Sequence, residues 1–206
     1  MKTTLTVIGS LLCATPVVAA DLRVSITDTS GKPVRDAVVT YEPAAGSAPV
    51  GIKAPYVMAQ RDMNFTPYVL VVPAGATVSF PNQDAVSHHV YSFSPARKFQ
   101  LPLYGGGLSR SLTFPTAGTV AIGCNIHDSM QAYIRVIDTA FYAQTDDKGV
   151  VTLTNLPNGA GDLVIWHPMS SAKGGETHLP LSVQGPIKPI SVQLKIRRMA
   201  HAGGGY

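Results

Sequence analysis

The chain has 206 residues, with 16 Lys and Arg against 12 Asp and Glu, for a formal net charge of +4. Charged side chains make up only 14% and apolar ones 45%, while 19 Gly and 16 Pro interrupt any long helix. This composition excludes a coiled coil and a charge-rich disordered chain, and it favours short strands joined by turns.

At the start of the chain, Lys2 precedes a largely apolar stretch from Leu5 to Val18, and Val18-Ala19-Ala20 sets small residues before Asp21. That pattern predicts a secretory signal peptide over residues 1–20 and hence a periplasmic protein. The stretch is shorter than the roughly 20 residues a bilayer-spanning helix needs, and Ser10 and Pro16 interrupt it, so no stable membrane insertion is expected after cleavage. Cys13 does not read as a lipid-attachment site, because Leu12 sits where such signals need a small residue. Cleavage would leave 15 basic against 12 acidic side chains and a single cysteine, Cys124. A lone thiol in an oxidising compartment is either buried and inert or chemically employed.

Leu22, Val24 and Ile26 alternate with Arg23, Ser25 and Thr27, which predicts a strand. Thr29-Ser30-Gly31-Lys32-Pro33 reads as a turn, with Val34 to Tyr41 as the strand returning from it in a hairpin. Residues 43–55 carry Pro, Ala, Gly and Ser without period, a connector. Seven short strands are expected next, at Tyr56 to Gln60, Tyr68 to Val72, Thr77 to Phe80, His89 to Phe93, Ser109 to Phe114, Thr119 to Cys124 and Ala132 to Ile137. Strands at this spacing indicate an antiparallel sandwich or barrel. Further strands follow at Val150 to Leu153, Gly161 to Trp166 and around Val192, Leu194 and Ile196, and the glycine-rich end over residues 198–206 is expected to be disordered.

The flanking segments look incomplete separately, since an isolated hairpin is marginal in water. Gly31-Lys32-Pro33, Thr145-Asp146-Asp147-Lys148-Gly149 and Leu156-Pro157-Asn158-Gly159, each beside an apolar strand, resemble the transthyretin-like domains related to carboxypeptidase regulatory regions. The resemblance implies one small β-sandwich built from residues 21–51 and 139–197, with residues 52–138 inserted between its halves.

Cys124-Asn125-Ile126-His127-Asp128-Ser129-Met130 places a thiol, an imidazole and a thioether at i, i+3 and i+6, where one loop after a strand can turn all three toward a point. Upstream, Ser87-His88-His89-Val90 offers a further imidazole at the start of another strand. Soft thiolate and thioether with borderline imidazole suit copper, and His₂Cys with a long axial Met is the composition of a blue-copper electron-transfer centre. Ligation also explains the unpaired cysteine. Zinc fits less well, because structural zinc sites draw on several cysteines or clustered histidines. C-x-x-C-H is absent, which excludes ordinary covalent c-type haem, and no H-x-H pair suggests a second metal for substrate chemistry.

These motifs, with Val71-Val72-Pro73-Ala74-Gly75-Ala76-Thr77-Val78 and Asp62-Met63-Asn64-Phe65-Thr66-Pro67, resemble cupredoxins of the amicyanin and plastocyanin type over residues 52–138. The whole chain is similar to exported proteins named for methylamine utilisation. The resemblance implies an all-β fold, a cupredoxin Greek-key sandwich beside the transthyretin-like one. It implies one type 1 copper, with His88, Cys124 and His127 as equatorial ligands and Met130 as the axial one. His88 is preferred because the family pattern is ligand His, then Asn, then Val, which puts His89 in the Asn place. Only one of two adjacent strand residues can face the metal.

The expected function is single-electron carriage between redox proteins, such as a c-type cytochrome or a dehydrogenase, without enzymatic activity. The alternative is copper storage or delivery in the periplasm, and a third reading takes both sandwiches as adhesion modules. His167, His178 and His201 read as ordinary loop or strand-end polar residues. Arg97-Lys98 and Lys195, Arg197 and Arg198 lack interleaved aromatics and read as solvated faces rather than nucleic-acid contacts, at most steering an acidic partner. His127 is expected near the surface as the electron's exit, and Leu101-Pro102-Leu103-Tyr104 is a candidate apolar docking rim.

Overall fold

A computed structural model of the chain describes residues 20–47, 50–53 and 55–197. Residues 1–19 of the expected leader and the expected disordered tail from residue 198, including Arg198 and His201, lie outside the described residues. Among the described residues the fold is all-β, with one 3-10 turn at Lys173–Gly175. No helix among them is long and apolar enough to cross a membrane.

In chain order, β1 (Ala20–Asp28) and β2 (Val38–Pro43) come first. Then follow β3 (Tyr56–Val57), β4 (Ala59–Arg61), β5 (Asn64–Thr66), β6 (Val69–Pro73), β7 (Ala76–Pro81) and β8 (His88–Ser92). After these come β9 (Phe99–Tyr104), β10 (Ser109–Phe114), β11 (Gly118–Gly123) and β12 (Gln131–Ile137). The last are β13 (Phe141–Gln144), β14 (Val150–Leu156), β15 (Gly159–Trp166), β16 (Glu176–Val183) and β17 (Ile190–Leu194).

Two apolar cores organise these strands. The first gathers Met58, Val78, Phe80, Val90, Ile122 and Ile134 with other buried side chains from residues 58–136. It lies between a sheet of order β10-β7-β3 and a sheet of order β6-β12-β11-β8-β9. The second gathers Leu22, Val24, Tyr41, Leu153, Leu163 and Leu194 among others, from both flanks of the chain. It lies between sheets of order β14-β1-β17 and β13-β2-β15-β16.

Alternation along each strand accounts for the split. In β1 the even-numbered Leu22, Val24 and Ile26 are buried while Asp21 and Arg23 face water, as a half-covered sheet requires. The expected hairpin at residues 22–41 does not form. The turn is present and one bridge, Thr27↔Pro33, pairs back on β1, but the chain then turns away, with Asp36 at φ 61°, and the next strand begins at Val38. It then joins the opposite sheet, pairing β13 and β15 rather than β1. The burial run Val38 to Tyr41 explains this: all four residues are buried, and a strand covered on both faces belongs between two layers.

The middle sandwich is also mixed rather than wholly antiparallel, since β6 runs parallel to β12 and β3 parallel to β7. Leu101-Pro102-Leu103-Tyr104 belongs to edge strand β9, where a proline lacking its N–H is tolerated. Of these four, Leu101 and Tyr104 are buried and Leu103 is exposed. Ala20, placed last in the expected leader, opens β1 opposite Leu156 and is buried.

Candidate metal centre

Cys124 to Met130 is the loop of the β11–β12 hairpin, directly beyond the Gly123↔Gln131 pair. Two backbone bonds close it: Cys124 N–H donates to the Met130 carbonyl at 3.3 Å, and Met130 N–H donates to the His127 carbonyl at 3.0 Å. Cys124 and Met130 therefore meet through their backbones at the loop's base. Both are buried in the first core, while His127 at the loop's outer bend is only half-buried.

His88 opens β8, which meets β11 at the Tyr91↔Gly123 pair, so its side chain arrives across the sheet from the hairpin loop. It is wholly inaccessible to solvent. His89 points the other way, as strand alternation demands, and its ring packs 5.7 Å from Tyr91.

The three donor atoms of His88, Cys124 and His127 all lie within 4.8 Å of one another. The Cys124 Sγ is 3.9 Å from His88 Nδ1 and 3.9 Å from His127 Nδ1. A thiol has one proton and cannot donate to both imidazoles, and this separation is long for any hydrogen bond it makes. With bonds of about 2.1 Å to imidazole nitrogen and about 2.3 Å to thiolate sulfur, trigonal angles put N and S about 3.8 Å apart. The spacing thus fits a metal ion equidistant from both rings better than it fits a thiol hydrogen-bonded to either.

The loop that delivers His88 is built by two residues that the sequence pattern left without a role. Asn82 is buried and donates its amide to the Val86 carbonyl at 2.8 Å and the Tyr104 carbonyl at 3.0 Å, while its Oδ1 accepts the Asp84 N–H at 3.0 Å. Asp84 Oδ2 lies 2.7 Å from His88 Nε2. Burial pushes the Asp84 carboxyl up, yet hydrogen bonds from His88 and from the Met63 and Asp62 backbone outweigh it and hold the group below its ordinary value. A carboxylate only accepts, so the Nε2 edge of His88 is the donor in this pair, and the Nδ1 edge faces Cys124. The readable signal was the run Asn82-Gln83-Asp84, since Asn and Asp commonly tie down their own loops.

Two further histidines among the described residues, His167 and His178, are held by protein partners. His167 Nδ1 accepts the Met169 N–H at 3.1 Å. His178 bridges Asp162 at 2.6 Å and Glu176 at 3.4 Å. Among the described residues, the group of His88, Cys124 and His127 is the one cluster of His, Cys, Asp or Glu close enough to share a metal ion.

No family model matches the chain, and no curated protein does. Among solved structures it is similar to a copper-containing nitrite reductase from Thermus scotoductus SA-01, at 28% identity over 44% of this chain and 25% of that one, with a TM-score of 0.39. It is also similar to a purple cupredoxin from Nitrosopumilus maritimus, at 21% identity over 40% of this chain and all of that one, with a TM-score of 0.37. A mutant of amicyanin in its Cu(I) form is 24% identical over 50% of this chain and 99% of its own, with a TM-score of 0.39. The chemistry of the cluster rests on its own donor atoms.

Proposed function

We propose that this chain is a periplasmic blue-copper protein that carries single electrons between redox partners. The observation carrying this reading is the thiol sulfur of Cys124 set 3.9 Å from two imidazole nitrogens. Met130, buried in the same core as Cys124, offers a soft thioether, which favours copper over zinc or a hard cation. Bound there, copper supplies a one-electron couple.

The protein's own groups do the rest. His88 opens a strand and is buried, Cys124 is buried directly after one, and the His127 loop is closed by backbone bonds, so the donors keep one arrangement and little reorganisation accompanies transfer. Burial shields the Cys124 sulfur from oxidants and disulfide exchange. His127, half-exposed, offers the short path to the surface. Ile126 beside it and Val86 beside the His88 loop are exposed apolar residues, suited to brief contact with a c-type cytochrome or a dehydrogenase. Residues 52–138 form the copper-bearing cupredoxin unit, and residues 21–51 with 139–197 form the transthyretin-like sandwich that supports it.

Loading the purified protein with Cu(II) should give intense visible absorption and a reversible couple in voltammetry, both lost in Cys124→Ala. A colourless Cu(II) form would overturn the reading. Tight Cu(I) binding without a reversible couple would instead indicate copper delivery.

A further inference from the structure

The Asp84 carboxylate meets more than His88. Its Oδ1 accepts the Asp62 N–H at 2.6 Å and its Oδ2 accepts the Met63 N–H at 3.1 Å. Asp62 and Met63 form the reversal between β4 and β5, and both have φ of 54°, the left-handed region that L side chains occupy at a penalty of about 1 kcal/mol each. Two backbone donors aimed at one carboxylate help to hold that turn, and the turn in return fixes the carboxylate. From the other side, a side chain at Gly106 would collide with the Asp84 carbonyl oxygen, so the glycine lets the neighbouring loop close directly over this residue. Asp84 is thus clamped on three sides, with one carboxylate oxygen set against a wholly buried imidazole.

We propose that Asp84 is a positioning residue of the metal centre, holding His88 in the Nε2–H tautomer and lowering the reduction potential by placing a negative charge behind a ligand ring. The proposal rests on the copper reading. A carboxylate partner makes the imidazole a stronger donor and fixes its orientation, and such partners typically change metal affinity by 10–100-fold. The charge acts through the ring on whichever ion is bound, so it favours Cu(II) over Cu(I).

Asp84→Asn keeps one oxygen, which can still accept the Asp62 N–H, while it removes the charge and the second acceptor oxygen that Met63 N–H and His88 Nε2 share. Its Cu(II) affinity, measured by chelator competition, should fall about tenfold or more relative to Cu(I) affinity. Tenfold corresponds to a rise in potential of about 59 mV for one electron. Asp84→Glu should restore part of the effect, which a loss of turn packing alone would not predict.

Nitrogen NMR of the metal-free protein supplies a readout independent of copper. Wild type should show His88 protonated on Nε2, and Asp84→Asn should lose that fixed tautomer. An Nδ1–H tautomer in wild type overturns the proposal, even if the variant fails to fold. An unchanged potential and tautomer in a folded, copper-loaded Asp84→Asn also overturns it while leaving the copper reading intact. Failure of wild type to bind copper would sink the copper reading instead, and the affinity and potential claims with it, whereas the tautomer would still report on the Asp84–His88 pair.

Discussion

The guanidinium of Arg135 lies 5.3 Å over the ring of Trp166, and through this pair the two sandwiches are joined. Arg135 projects from β12 on the outer face of the five-stranded sheet, donating to Glu176 at 2.6 Å and to Thr119 at 3.0 Å. Trp166, 1% exposed at the end of β15, is buried with Val38 from its own side and Val69 from the other. The chain's one tryptophan is therefore spent on a junction rather than on either main core.

Removing that ring should act as a deletion from a packed interior. Trp166→Ala is expected to cost about 3–5 kcal/mol in denaturant unfolding. Arg135→Ala should cost about 2 kcal/mol, because it removes a partly buried charge-assisted bond and a ring contact together. A loss below about 0.5 kcal/mol in both variants would show that the sandwiches do not depend on this contact.

Two histidines outside the metal cluster, His167 and His178, give opposite pH dependences. Burial pushes His167 below its ordinary value, 6.5, against a nearby Asp36 and a backbone contact with Arg35. Its contribution is fully present above that value and is lost as pH falls through the lower folded pKa, because the unfolded chain takes up the proton first. His178 is raised above 6.5 by its hydrogen bond with Asp162, aided by Glu176 and opposed by burial. Its contribution is fully present below that value and is lost as pH rises through the higher folded pKa. His167→Gln should flatten the acid side of the stability profile and His178→Gln the near-neutral to alkaline side, measured by urea unfolding between about pH 5 and pH 8. Because His178 is half-exposed, its effect should be the smaller and should shrink in salt.

Met130→Leu separates the thioether from the fold. The side chain is 1% exposed, and the backbone bonds that close the loop do not involve it. A similar-sized apolar replacement should cost less than about 1.5 kcal/mol. Copper should still bind, with a higher reduction potential, since loss of an axial donor disfavours the more highly charged ion. Voltammetry and thermal melting of the same sample would check both. An unchanged potential would exclude Met130 from the metal's surroundings.

What could be read in the sequence was local. Cys124, His127 and Met130 share one hairpin loop, so their spacing alone brings them together, and alternation alone places His88 and His89 on opposite faces. Asp84 was not legible, because its role depends on a turn some twenty residues earlier and a ring four residues later, and many exposed Asn-x-Asp runs look the same. Turn signals located the end of β1 but could not say that the chain then crosses to the facing sheet. Pro102 and Pro180 hid β9 and β16, whose edge positions let them keep a residue without an N–H.

Gly161 gives a test of the second core that is independent of any metal. A Cβ there would come within 2.5 Å of the Tyr41 ring, which lies across the glycine on neighbouring strand β2. Tyr41 is fully buried, donates its hydroxyl to the Gly159 carbonyl at 3.2 Å and meets Phe141 edge-on, so it has nowhere to retreat. Gly161→Ala should therefore cost about 1–3 kcal/mol, as overpacking does. In a Tyr41→Ala background the obstacle is gone. The same substitution should then become neutral or stabilise by about 0.5–1 kcal/mol, because alanine loses less backbone freedom than glycine in a strand. The coupling between the two sites, read from a four-variant denaturation cycle, reverses the sign of one mutation's effect. Equal costs in both backgrounds would mean that Tyr41 does not cover Gly161.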